Sequence, residues 1–418
     1  MHQKRSAVQS AAPGACAVLV ARLTLRVLPA LPSVLALVCT LVLFSLFLTV
    51  QGQPALEAIR LIFVGAFGSA FSWQNTLLRA SPLMLTALCV ALPARVGLIV
   101  IGGEGALAAG GLVAAVIPEL LPVNTPWVLA LLLMAFGGML AGALWIGAVG
   151  ALKQWRGVNE TISSLLMSYI AIAVFKFLVE GPLRDTASLN KPSTPPIPSA
   201  WMIGSMPGMQ MHWGLFWSVL VCLAVWVFAT FSTKGFAMQV VGGSQRAARL
   251  VGLPVNQLTL CACAMGGAAA GLAGMFEVSA VQGSANASLL AGYGYAGILV
   301  AFAARQNPLA IIFCALLVGG IEASGSLLQR RLDFPDATTL VLQGLLFANL
   351  LAWEAIGVNM ARWRVKLESV AFTDVPDMPD KPGPPLPPHS LPSLPPASPS
   401  SHASTTSATS AALEAPHA

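Results

Sequence analysis

The sequence predicts an all-α membrane protein. It reads as a polytopic helix bundle of about ten transmembrane helices in two inverted-repeat halves, with both termini cytoplasmic. Three observations predict it. Hydrophobic residues make up 56% of the 418 residues and charged residues only 9%, whereas a soluble domain carries about 25% charged residues. So few charges cannot cover a water-facing surface, which excludes a soluble enzyme, a disordered chain and a secreted disulfide scaffold. Apolar runs of spanning length recur between charges, prolines and tryptophans. Finally, two groups of spans each carry a Gly cluster in their second member, at 102–105 and 292–297.

Residues 1–30 hold Lys4, Arg5, Arg22 and Arg26 and read as a cytoplasmic basic arm. The apolar stretch at 11–21 is too short and too closely followed by Arg22 for a secretory leader. The membrane domain covers 31–357, and its first span is 31–50. The mixed segment 55–72, with Glu57 and Arg60, reads as an interfacial helix. Further spans are predicted at 77–92, 97–117, 127–152, 162–179, 214–231, 258–281, 291–304, 309–328 and 338–356. The Pro-rich segment 181–214 is the longest external loop. Residues 358–418 read as a cytoplasmic, disordered Pro/Ser/Ala-rich tail, since the composition from about Val375 onward offers too little apolar surface to offset ordering entropy.

Basic residues set the orientation. Arg95, Lys153, Arg156, Lys234, Arg246, Arg249, Arg305, Arg362, Arg364 and Lys366 fall on the side of the N-terminal arm. Arg60, Arg184, Lys191, Arg330 and Arg331 fall opposite, partly offset by Glu57, Asp185, Asp333 and Asp336. The net charge of +6 is therefore read as topology-setting rather than as a nucleic-acid footprint. Inverted halves with Gly-interrupted helices are a transporter architecture, with the solute held near the repeat interface.

None of the five histidines, His2, His212, His389, His402 and His417, lies in a predicted span. That excludes an intramembrane Ser–His hydrolase, a haem site and a His metal site. Cys261-x-Cys263 lacks the spacing and partners of a metal site. No cofactor, metal or catalytic residue is expected. No phosphate-binding G-x-x-x-x-G-K-[ST] loop occurs, so any ATP must be bound by another polypeptide. Glu104, Glu277 and Glu322 lie in apolar spans. A carboxyl there either lines a solute or ion path or locks one helix to another. The Gly surroundings of Glu104 point to the first role, Glu277 fits both, and Glu322 fits the second.

The segment Gly242-Gly243-Ser244-Gln245-Arg246-Ala247-Ala248-Arg249-Leu250-Val251-Gly252 lies between spans. Ser244 is a good N-cap and Gly252 a good stop, so about two helical turns are expected between them. In a transporter without its own ATPase, such a turn gives a motor subunit something to grip.

These residues resemble a known family. Gly97-Leu98-Ile99-Val100-Ile101-Gly102-Gly103-Glu104-Gly105 is similar to a G-L-F-N-I-G-x-E-G-Q motif, and 158–170 to N-E-x-I-S-x-L-M-x-N-Y-I. Gly181-Pro182-Leu183-Arg184-Asp185, the 242–252 segment, 292–298 and Asn307-Pro308-Leu309 also fit. The chain thus resembles permease subunits of bacterial ABC importers for nucleosides and simple sugars, in the branched-chain amino acid/simple-sugar permease superfamily. Val100 and Ala106 stand where the family usually has Asn and Gln, which removes polar groups from the presumed path.

The resemblance implies an inner-membrane permease that pairs with a second permease as a homo- or heterodimer. It also implies a separate ATPase subunit and an extracytoplasmic binding protein that delivers a small polar solute. Glu104, Gly102, Gly103, Gly105, Glu277, Tyr293, Tyr295, Asn159 and Glu160 are the expected path residues. Ser244, Gln245, Arg246, Ala247, Ala248, Arg249 and Gly252 are the expected ATPase-coupling residues. The alternative is an ion-coupled secondary transporter working through Glu104 or Glu277.

Overall fold

A computed structural model describes residues 31–187, 191–208, 211–335 and 337–372. The expected arm at 1–30 and the tail beyond 372 lie outside the described residues. The chain divides into two compact units, Met1–Trp363 and Arg364–Ala418. Of the second, the described residues extend to Phe372 and are helical.

Helices dominate the described residues. In order they are α1 (Leu31–Val50), α2 (Ala55–Phe67), α3 (Ala70–Ala94), α4 (Gly103–Leu120), α5 (Trp127–Arg156), α6 (Glu160–Glu180) and α7 (Gly214–Phe231). Then come α8 (Thr233–Gly243), α9 (Gln245–Leu250), α10 (Val255–Phe276), α11 (Tyr293–Ala303), α12 (Pro308–Leu332) and α13 (Ala337–Phe372). A π-turn, Glu277–Gln282, extends α10.

Seven helices among the described residues are long and apolar enough to cross a membrane: α3 to α7, α10 with its π-turn, and α12. The other three expected spans are shorter apolar helices, Leu35–Val50, Ala287–Ala303 and Ala337–Trp353. The expected span at 291–304 is the eleven-residue α11. Its start is fixed by Gly292, whose φ of +88° breaks the helical path. The expected interfacial helix at 55–72 ends early, at Phe67. Ser69 then caps α3 by accepting from the Ser72 amide, so α3 begins seven positions before the expected Leu77. The span expected from 97 starts as a helix only at Gly103, because 98–101 are irregular and Gly102 stands in a turn as its N-cap.

The helices pack across the two halves. α3 lies against α12, and α10 against α5; α4 packs on α10, and α11 on α3; α3 and α10 also touch each other. The α5–α10 seam is built from glycine. A Cβ at Gly142, Gly267 or Gly271 would run into the facing main chain. Lipid supplies no hydrophobic drive between helices, so close backbone approach through small residues is what holds such a pair. A hydroxyl pair of Ser81 and Ser218, 2.8 Å apart, ties α3 to α7. Leu132, Phe136, Phe216 and Phe313 point outward, as a lipid-facing surface requires.

Candidate functional site

In the irregular segment before α4, Leu98 donates its amide to the Pro93 carbonyl of α3, and α6 supplies partners further on. Asn159 caps α6, its side chain accepting from the Thr161 and Ile162 amides. Thr161, Ser164 and Ser168 then fall on one face of the helix. Thr161 donates to the Ile99 carbonyl at 3.0 Å, Ser164 accepts from the Ile101 amide at 3.0 Å, and Ser168 from the Gly105 amide at 3.3 Å. The motif at 158–170 is therefore a hydroxyl ladder for the motif at 97–105. Glu160, at the foot of α6, pairs with Lys153 at 2.7 Å.

The ladder delivers Glu104 to the start of α4, with 1% of its surface exposed. Its carboxylate accepts from the Gly292 amide at 2.9 Å and from the Gly294 amide at 2.6 Å. These are free N–H groups at the start of α11. A helix N-terminus carries partial positive charge and unpaired donors, which suits a carboxylate. The starts of α4 and α11 thus abut, so closely that a Cβ at Gly294 would collide with the Glu104 backbone. The two Gly clusters read from the sequence meet at this point.

Around this crossing sit the remaining expected residues. Tyr293 is buried, and its carbonyl accepts from Thr86 of α3 at 2.9 Å. Tyr295 is exposed, within electrostatic reach of Tyr169 on α6. Glu277 sits in the π-turn and accepts from Gln282 at 3.3 Å, and Glu322 accepts from Gln343 at 3.3 Å. The charge of Arg79, on α3, acts on Glu277, Glu322 and Tyr293 alike. Sequence reasoning missed Arg79, although a lone cation inside a long apolar run is itself a signal.

Val100 and Ala106, expected near the path, are fully buried in an apolar cluster with Ile146 and Cys263. The segment 191–205 is stitched over the α10–α11 connection. Thr194 donates its amide to the Ala285 carbonyl at 3.0 Å, Ile197 to Gly283 at 2.8 Å and Ile203 to Ser279 at 3.1 Å.

The short α9 forms where expected. Ser244 accepts from the Ala247 amide at 3.3 Å, and Gly252 ends the turn with φ +84°. Arg246, Ala247 and Arg249 are exposed and Gln245 is half-buried, but Ala248 is fully buried beside Met238 and Val241. The exposed apolar tip consists of Leu250 and Val251, at 84% and 77% exposure. Neither was among the residues expected to couple.

Residues 72–351 match the family described as branched-chain amino acid transport system / permease component. The chain belongs to this permease family. The permease is also similar to a glucose ABC transporter permease protein of Haloferax volcanii, 30% identical over 77% of this chain and 87% of that protein. A guanosine ABC transporter permease protein of Bacillus subtilis is 28% identical over 69% and 83% of the two chains. A nucleoside ABC transporter permease protein of Lactococcus lactis subsp. cremoris is 24% identical over 75% and 88%. The permease is a multi-pass protein of the cell membrane and a transport subunit, not itself a catalyst.

Proposed function

We propose that the permease is the membrane subunit of an ATP-binding-cassette importer for a nucleoside, purine-type or simple-sugar solute. It works as a homo- or heterodimer with a second permease. A separate ATPase docks on α9, and an extracytoplasmic binding protein delivers the solute. The observation that carries this reading is the α9 tip. Two large apolar side chains, Leu250 and Val251, stand in the open beyond the ends of the spans. Exposed apolar side chains at a capped helix end suit a protein partner better than water.

Other features support the same reading. The exchange of partners, α3 on α12 and α10 on α5, is what two inverted halves of a ten-span chain would make. Arg95, Lys153, Arg156, Lys234, Arg246 and Arg249 support a cytoplasmic position for the α9 end and an external one for 181–213. The path follows the face where Tyr169 and Tyr295 are exposed near the α4–α11 crossing; their rings and hydroxyls suit a base or a sugar. Both carboxylate oxygens of Glu104 are engaged by amides. An ion-coupled carrier needs a carboxyl that can let go of its partners, so that alternative has less support.

The test is reconstitution with and without the cognate ATPase. Uptake should require ATP and the ATPase, and an ion gradient alone should drive none. Leu250→Asp or Val251→Asp should lower ATPase copurification about tenfold or more, the scale of an interface anchor, at normal permease yield. Accumulation by the permease alone, or unchanged copurification with both variants, would overturn the reading.

A further inference from the structure

A cavity of about 790 Å³ opens between α1, α2, α12 and α13, away from the α4–α11 crossing. Its walls are apolar side chains such as Leu37, Phe63, Leu317 and Leu346. Its polar side chains are largely satisfied from within: the Thr40 hydroxyl donates to the Ala36 carbonyl at 2.7 Å, and Asn307 accepts from the Leu309 amide at 3.1 Å. A nucleoside or sugar entering here would lose hydrogen bonds to water and gain few. Among the described residues that line the cavity, Arg305 is the one charged group.

The cavity has a direction. Arg305 and Asn307 lie in the turn before α12, and the wall then follows α12 from Ala310 to Ile321. At 1.5 Å per residue that run is about 16 Å long, close to half of the ~30 Å hydrocarbon core. Beyond Ile321 the same helices close on one another through Phe44, Leu48, Leu328 and Leu342. The result is a blind apolar groove, one leaflet deep, with a guanidinium at its mouth. In a protein surrounded by lipid, a molecule with one apolar tail and one anionic end complements it. We propose that this groove binds an anionic phospholipid, with an acyl chain along α12 and the phosphate at Arg305.

The test uses the full chain purified in detergent. It is mixed with equal amounts of phosphatidylglycerol and phosphatidylcholine, each carrying a photoactivatable group near the acyl terminus. After illumination the adducts are mapped by mass spectrometry. Peptides covering 310–321 should carry phosphatidylglycerol over phosphatidylcholine by about fivefold, the preference expected of one cation near the membrane surface. Arg305→Gln should equalise the two lipids, and Arg305→Lys should keep the preference. Leu317→Trp, placed where Leu317 is already exposed, should fill the groove and lower both adducts. Equal labelling in the wild type would overturn the proposal, as would a preference that survives Arg305→Gln or labelling unchanged by Leu317→Trp.

Discussion

The Oε2 atom of Glu104 accepts a 2.6 Å hydrogen bond from the backbone amide of Gly294, 190 positions further along the chain. With the Gly292 amide on its other oxygen, this one side chain caps a helix that begins in the opposite half of the molecule. The contact joins two helix starts rather than interruptions within helices, and the glycines at each start are needed. Gly292 turns the chain so that both amides face one way, and Gly294 leaves room for the α4 backbone.

Glu104→Gln should therefore act on the fold before it acts on transport. The amide offers one acceptor where the carboxylate offers two, and it turns an N–H donor toward an N–H donor. Leaving a buried amide unsatisfied costs about 1–3 kcal/mol. Gly294→Ala should be worse, since its methyl group meets backbone. Both are read as the yield of monodisperse protein and its melting temperature in detergent. Wild-type yield and melting for Glu104→Gln would show that the capping bonds are dispensable.

The α6 ladder makes a graded prediction. Ser164→Ala removes the partner of the Ile101 amide, at a cost of about 1–3 kcal/mol. Ser168→Ala removes a longer bond of 3.3 Å and should cost less. Amide hydrogen exchange at Ile101 should speed up in the first variant and at Gly105 in the second. If exchange at both positions is unchanged, α6 does not hold the 99–105 segment.

His212 makes stability depend on pH. It is 5% exposed, and neither ring nitrogen has a hydrogen-bond partner among the described residues. Burial pushes its imidazole down from the usual 6.5 to about 4. Above the ordinary value, folded and unfolded forms are both neutral, and pH has no effect through this group. As pH falls from there toward the folded value, only the unfolded form takes up the proton, so stability drops. The full loss, reached below the folded value, is about 3 kcal/mol. Protease susceptibility of the 181–213 segment should rise between neutral pH and about pH 5, and His212→Phe should flatten that rise. An equal rise in the variant would place the sensitivity elsewhere.

The class and most helices were legible because lipid demands long uncharged runs, and those are visible in one dimension. The α9 turn was legible too, since Ser244 and Gly252 are local signals that need no tertiary partner. The two Gly clusters drew attention to the right places. Their meeting depended on contacts across the halves, which a linear reading cannot supply. The true length of α11 was hidden for a related reason. Its apolar composition suits a full span, yet the loop before it is held by 191–205, far away in sequence. At α9, small residues suggested a contact at Ala248, whereas that side chain is the anchor and Leu250 and Val251 form the free tip. Thr161, Ser164 and Ser168 stood within the 158–170 motif, but their bonds to Ile99, Ile101 and Gly105 show only in three dimensions.

The distance along the chain between Glu104 and Gly294 also sets a timetable for synthesis. Ribosomes add about 5–20 residues per second, so roughly 10–40 s separate the making of the acid from the making of its partners. Throughout that interval the first half carries a carboxyl that lipid will not readily accept. The nascent segment must linger at the insertion machinery or beside water until α11 arrives. A chain cut short before Gly292 lacks both of the amides that donate to Glu104. The last third of the permease is in this sense the seal that certifies the first.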